Sequence, residues 1–428
     1  MLPAELDRQL LLLTVQIGVI IGAARLLGLV FRRWQQPQVI GEVVAGLLLG
    51  PSLLGWLAPG LSAALFPPAS LPFLKLLSEI GIVFFMFLIG LELNPTLLRQ
   101  RGRAAVVIST TSIVLPFALG AAVALVLFES LAGPGVSRTG FAVFLGAAMA
   151  ITAFPVLARI LIERDLLRTP LGTLALTCAA VDDIAGWCLL SLVAALGTIG
   201  GGSGAAALGW LLLYAGAMVF VARPLLGRLR TVQASAGGVS QNLLAVIFVL
   251  LLTSALATQW IGIHAIFGGF VLGAVMPKQT GFVRDVADKV EDFTTVFFLP
   301  IYFAHVGLRT QLGLLDSPAL WGWCLVLIAI AVAGKFGGSV VAARAMRLDW
   351  RESLGLGVLL NTRGLMGVII LNVGLDLGLI TPALFAMMVL MAIVTTVMAA
   401  PALSLIDRRW GVATAVAAAP PAGGAVLV

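Results

Sequence analysis

Apolar stretches long enough to cross a bilayer recur along the whole chain, and no other feature restricts its fold as strongly. A hydrocarbon core of roughly 30 Å takes about 20 residues of helix. Runs of that order lie at about 10–31, 38–58, 72–91, 104–128, 136–158, 171–198, 206–226, 239–257, 260–276, 290–308, 319–343, 353–375 and 382–406, thirteen in all. Lipid offers no partners to backbone N–H and C=O groups, so runs of this length must satisfy themselves as helices. The joins near 258–259 and around 300 are the least sharply marked. Connections are short and leave no room for an inserted soluble domain. Only 11% of the 428 residues are charged and 61% are hydrophobic, whereas a soluble domain needs about a quarter charged. A soluble enzyme, a secreted disulfide scaffold and a nucleic-acid-binding protein are thereby excluded. The expected fold is an all-α polytopic membrane protein, and no enzyme activity is expected. Glu5, Asp7 and Arg8 precede the first run, which reads as a span and not as a cleaved signal.

The positive charges orient the spans. Arg32 and Arg33 follow the first run, Arg99, Arg101 and Arg103 the third, and Arg159, Arg164 and Arg168 the fifth. Arg223, Arg228 and Arg230 follow the seventh, Lys278, Arg284 and Lys289 the ninth, Arg344, Arg347 and Arg351 the eleventh, and Arg408 and Arg409 the last. Nineteen of the 26 lysines and arginines thus sit at alternate junctions, and the other junctions and ends hold only Arg8, Arg138 and Arg309. The positive-inside rule places the basic side in the cytoplasm. The N-terminus is then outside and the C-terminus inside a cell membrane crossed many times, a bacterial inner membrane on the bias of loops and arginines. Topology accounts for the net charge of +7 without nucleic acid.

Two pairs of strings suggest an internal repeat. AGLLLGP at 45–51 is matched by GGFVLGA at 268–274, and VFFMFLIGLEL at 83–93 by VFFLPIYFAHVGLR at 296–309. Both pairs are seven spans apart, so the second copy is inverted, a common plan of secondary transporters. The transmembrane domain is taken as 1–409, with repeats at about 10–198 and 239–406 linked by a helix at about 206–226; residues 410–428 form a short tail without stable structure. Such repeats bind at the midplane, where corresponding spans are broken. The fifth span carries AMAITAFPVLAR at 148–159, in which Pro155 removes a donor and Thr152 offers a hydroxyl. The twelfth carries LLNTRGLMG at 359–367, placing Asn361, Thr362, Arg363 and Gly364 where a lipid-facing helix would be apolar.

Charged residues inside spans point to an ion site. Asp182 and Asp183 lie about twelve residues into the sixth span, roughly 18 Å deep. Lys335 lies roughly 14 Å deep in the eleventh. Intramembrane charges are expensive and usually mark ion pathways. Adjacent helical residues diverge by about 100°, so one aspartate can face a cavity while the other turns to a neighbouring span. Carboxylates suit a monovalent cation or a proton, and Lys335 is the natural partner of one of them. Glu42, near a cytoplasmic end, is a possible gate, with packing against Arg32 or Arg33 as the structural alternative. Glu79 reads as an i,i+4 partner of Lys75, and His264 and His305 as polar-network residues. With three cysteines and two histidines far apart, and no phosphate loop, neither a cofactor nor a structural metal is expected.

GEVVAGLLLGPSLLG at 41–55, VFFMFLIGLEL at 83–93, ITAFPVLARIL at 151–161, AAVDDIAGW at 179–187, GIHAIFGGFVLG at 262–273 and LLNTRGLMGVIILNVG at 359–374 together resemble the monovalent cation:proton antiporter-2 family, nearest its plant cation/H⁺ exchanger branch and bacterial relatives. The resemblance covers the membrane domain. It implies a sodium/proton-antiporter-like homodimer with two crossed, interrupted helices, here the fifth and twelfth. It places the ion- and proton-binding carboxylate on Asp183, with Asp182 beside it and Lys335 as the basic residue of the late core helix. The implied function is exchange of Na⁺ or K⁺ for H⁺, electrogenic and by alternating access. K⁺ efflux through a channel-like pathway, or a non-transporting sensor on the same scaffold, are the alternatives.

Overall fold

The computed structural model describes residues 3–34, 36, 38–92, 102–152, 156–157, 160–161, 164, 166, 169–198, 204–229, 233, 238–261 and 264–410. Among them the chain is helical, with one isolated antiparallel bridge between Ala132 and Ile380. The principal helices are α1 (Pro3–Arg33), α2 (Gln38–Leu49), α3 (Leu71–Glu92), α4 (Gly102–Leu131), α5 (Arg138–Ala150), α6 (Pro170–Thr198), α7 (Gly204–Ala217), α8 (Gln241–Ile261), α9 (Ala265–Val275), α10 (Leu299–Arg309), α11 (Pro318–Val332), α12 (Trp350–Leu360), α13 (Leu365–Asp376) and α14 (Pro382–Val397). Among the described residues, eight helices are long and apolar enough to span a membrane, and shorter apolar helices occupy 138–150, 170–179, 265–275 and 367–376.

Local chemistry sets many of the ends. Ser137 accepts from the Gly140 N–H at 3.0 Å to start α5, and Asp349 accepts from the Glu352 N–H at 2.6 Å to start α12. Ser317 and Thr381 cap α11 and α14, each with proline at the first helical position. The join expected near 258–259 falls after Ile261 instead. Thr258 bonds back to its own helix, and Gln259 Oε1 accepts from the Ala265 N–H at 3.1 Å, so it caps the next helix. Around 300 there is no join: a helix from Thr280 runs through a π-turn at Thr294–Phe298 into α10. Further π-turns lie at Met218–Ala222 and at Ala333–Gly337, which holds Lys335.

The outer surface is apolar, with Phe220 81% and Trp260 73% exposed, as lipid requires. Inside, helices approach through small residues, because lipid removes the hydrophobic drive for association and leaves close packing. α2 packs on α10 and α3 on α9. At the first contact a side-chain carbon on Gly46 would collide with the Phe303 carbonyl. At the second, one on Gly90 would collide with the Phe270 carbonyl. Phe85, Met86, Phe141, Phe144, Phe303 and Phe385 belong to one buried core cluster between these pairs and α14.

Candidate functional site

Two helices stop in the interior. α5 ends at Ala150, and Ile151 turns extended with φ −83° and ψ 134°. α12 ends at Leu360, and helix resumes only at Leu365 after Gly364. A helix C-terminus leaves carbonyls without intrahelical donors and carries partial negative charge. Two buried cations answer those of α5. Arg363 donates through Nη1 to the Ala148 carbonyl at 2.9 Å and through Nη2 to the Met149 carbonyl. Lys335 Nζ donates to the Ala150 carbonyl at 2.5 Å. Thr152 reaches the other break, with its Oγ1 3.0 Å from the Leu360 carbonyl. The two interruptions therefore touch.

Asp182 sits against this crossing. Lys335 Nζ lies 2.6 Å from its Oδ2, and both side chains are fully buried. Thr152 Oγ1 stands 2.7 Å from the same oxygen, and Ser112 Oγ is 3.1 Å from Oδ2 and 3.2 Å from Oδ1. The third Lys335 proton goes to the Ser112 carbonyl at 2.9 Å. An ammonium has three donors, and here each has an acceptor. A buried ion pair is tolerable only when its remaining hydrogen-bonding capacity is filled in this way. The π-turn that carries Lys335 lies against Pro116 of α4, where Gly334 leaves room for the contact.

The structure brings together Asp182, Lys335, Thr152 and Arg363 from four separate stretches of the chain. Asn361 is 5% exposed and its Oδ1 has no hydrogen-bond partner. Gly364 begins the second half of the broken helix. Asp183 belongs to α6, but its side chain lies outside the described residues, as does Pro155; α5 already ends ahead of that proline. Glu42 is buried near the start of α2, with Gln38 Nε2 3.4 Å from its Oε1. Ser112 escaped the sequence reading, although Ser109 and Ser112 stand three residues apart on one face of a helix whose middle, from Ile113 to Phe128, is apolar. So did Thr396, whose Oγ1 accepts from the Arg363 N–H at 2.9 Å.

A model of the transmembrane region of sodium/hydrogen exchangers matches residues 20–406. The Na⁺/H⁺ antiporter NhaS4 of Synechocystis is 50% identical over 394 residues, which cover 92% of this chain and 96% of the relative. Cation/H⁺ antiporter 17 of Arabidopsis thaliana is 40% identical, covering 92% of this chain and 48% of the relative. K⁺/H⁺ antiporter 1 of Saccharomyces cerevisiae is 33% identical, covering 93% and 46%. The chain thus spans about half the length of these plant and yeast relatives. The solved sodium proton antiporter MjNhaP1 from Methanocaldococcus jannaschii aligns with a TM-score of 0.60 at 15% identity, over 94% of this chain and 97% of that one, a likeness of fold. With a family model over nearly all its helices and a half-identical full-length relative, the chain belongs to the transmembrane sodium/hydrogen exchanger family, a family of transporters and not of enzymes.

Proposed function

We propose that the chain exchanges a monovalent cation, Na⁺ or K⁺, for protons across the membrane by alternating access. The observation that carries this reading is the buried Asp182–Lys335 pair at the contact of two interrupted helices. The names of the relatives, a Na⁺/H⁺ and a K⁺/H⁺ antiporter among them, support it. Asp183 is the exchanging carboxylate, taking either H⁺ or the cation, with Asn361 Oδ1 as an unfilled buried oxygen near the break. Asp182 and Lys335 balance charge beside it. When a cation or proton arrives at Asp183, the field at the pair changes. If Lys335 then releases its proton, two protons exchange for one cation and net charge moves. Arg363 holds the broken end of α5 through the cycle.

Thirteen spans in two inverted repeats fit this reading. Exchanging the matched spans, second for ninth and third for tenth, turns the α2–α10 contact into the α9–α3 contact, and each is made through glycine on a facing carbonyl. The domain is 1–409, a homodimer in lipid, N-terminus outside and C-terminus in the cytoplasm, with Glu42 as a gate on the inner side.

The test is transport in proteoliposomes, with Na⁺, K⁺ and Li⁺ compared and a membrane potential imposed at zero pH gradient. Cation-dependent proton flux is expected, and Asp183→Asn, which cannot hold the titratable charge, should abolish it. Wild type should respond to potential, which supplies ~2.3 kcal/mol per charge per 100 mV, and folded Lys335→Gln should respond less. Normal exchange by Asp183→Asn would remove that residue from its role, and a voltage-indifferent wild type would remove electrogenicity.

A further inference from the structure

A second polar cluster lies at the opposite end of the spans from the basic junctions. Glu79 comes from α3, His264 from the residue that starts α9, and Asp376 from the last residue of α13. One ligand atom of each lies within 4.8 Å of the other two. They line a small pocket, with room for about one water-sized group, that is partly open to solvent. His305 of α10 lines the same cavity. It is only 6% exposed, and neither of its ring nitrogens has a hydrogen-bond partner. A buried imidazole with both nitrogens unpartnered by protein is open to a water, a ligand or an ion. The Nδ1 of His264 is likewise buried without a partner.

A cation already stands there. Lys75 Nζ lies 3.4 Å from Asp376 Oδ2 and 3.7 Å from Glu79 Oε1, with its side chain 41% exposed. Arg309 occupies the other oxygen of Asp376, at 2.7 Å from Oδ1. Swinging Lys75 into water would free Oδ2 and the Glu79 carboxylate together and leave Arg309 in place.

We propose that Glu79, His264 and Asp376, with His305 beside them, bind a divalent transition-metal ion of the Zn²⁺ type, in competition with the Lys75 ammonium. One imidazole and two carboxylates, with a second imidazole lining the same pocket, form a borderline donor set that suits Zn²⁺, whereas Ca²⁺ and Mg²⁺ prefer oxygen alone. Tetrahedral ligand distances of about 2.0–2.2 Å put donor atoms roughly 3.4 Å apart, so the observed spread closes with small side-chain rotations. The ion would also act as a clamp. α3 and α9 pack on each other, while α13 is the outer half of the interrupted helix. Metal bridging all three would fix that half-helix to its neighbours and stop alternating access, a consequence that rests on the antiport reading.

The experiment is calorimetric titration of the full chain in detergent with ZnCl₂, followed by ZnCl₂ inhibition of exchange in proteoliposomes. One Zn²⁺ per chain is expected. Removing a ligand should weaken binding by more than about tenfold in His264→Ala and in Asp376→Asn. His264 makes no side-chain cap bond to α9, so its loss leaves that helix start intact. Lys75→Gln should bind several-fold more tightly. Binding unchanged in His264→Ala, or Ca²⁺ displacing Zn²⁺ at equal concentration, overturns the site. Binding without inhibition overturns the clamp. A wild type that binds Zn²⁺ but exchanges no cation sinks the antiport reading and leaves the metal site standing.

Discussion

Two clusters of the same residue types sit in this molecule under opposite conditions. At the crossing of the broken helices, Lys335 and Asp182 are wholly excluded from solvent, and every proton of the ammonium has an acceptor. At the outer end, Lys75, Glu79, Asp376 and Arg309 keep 23–41% of their side chains exposed, and buried imidazole nitrogens beside them have no partner. The difference lies in what each place demands. A charge in a dry interior persists only if surrounded by fixed partners, whereas charges at the water boundary can trade partners because solvent screens them. On the two proposals above, the inner cluster serves a narrow change of charge state and the outer one the exchange of one cation for another.

The contrast is open to breakage by mutation. The largest effect is expected from Lys335→Ala, which strands the Asp182 carboxylate and should cost about 3–5 kcal/mol of stability. The paired change Lys335→Ala with Asp182→Ala should recover most of that loss. Thermal unfolding in detergent decides it; a double variant no more stable than the single one would show that the pair is not energetically coupled. A smaller loss is expected from Ser112→Ala. It removes a donor to a buried carboxylate, a contact to a charged group worth about 1.5–3 kcal/mol, while the Ser112 carbonyl stays to accept from Lys335. Retained stability in that variant would mean that Thr152 and Lys335 alone satisfy Asp182. The smallest effect belongs to the outer cluster: Lys75→Gln should shift stability by less than about 1 kcal/mol, as for exposed ion pairs. High salt should shrink that difference further while leaving the Lys335→Ala loss unchanged, because buried pairs are screened little. Equal salt sensitivity at the two places would erase the distinction drawn between them.

Depth arithmetic on the sequence sufficed to set Lys335 and the aspartates at a similar level, since rise per residue in a helix is fixed. The breaks were legible too, because polar residues in NTRG and a proline after ITAF have no place in a lipid-facing helix. Ser112 was not, as a hydroxyl in an apolar helix can bond its own backbone and so carries little signal of its own. The outer cluster was visible in the sequence as the Lys75–Glu79 pair and, unconnected to it, as two polar-network histidines, His264 and His305. Arg309 and Asp376 come from segments as much as three hundred residues away, and nothing in the sequence joins them to that pair.

Composition and spacing determined that this chain is a bundle of membrane helices, where its charge lies along the spans and which two spans are interrupted. Those properties follow from the cost of unpaired backbone and unpaired charge in lipid, which acts on each segment separately. Which donor meets which acceptor was decided only by the tertiary structure. The carbonyls freed at the end of α5 are invisible in sequence, yet they orient both Arg363 and Lys335. Lys335 meets Asp182, 153 residues away in the chain, because Gly334 and Pro116 let α4 and the late helix close to contact. Contacts of that kind depend on the packing of several helices at once, and no segment carries that information alone.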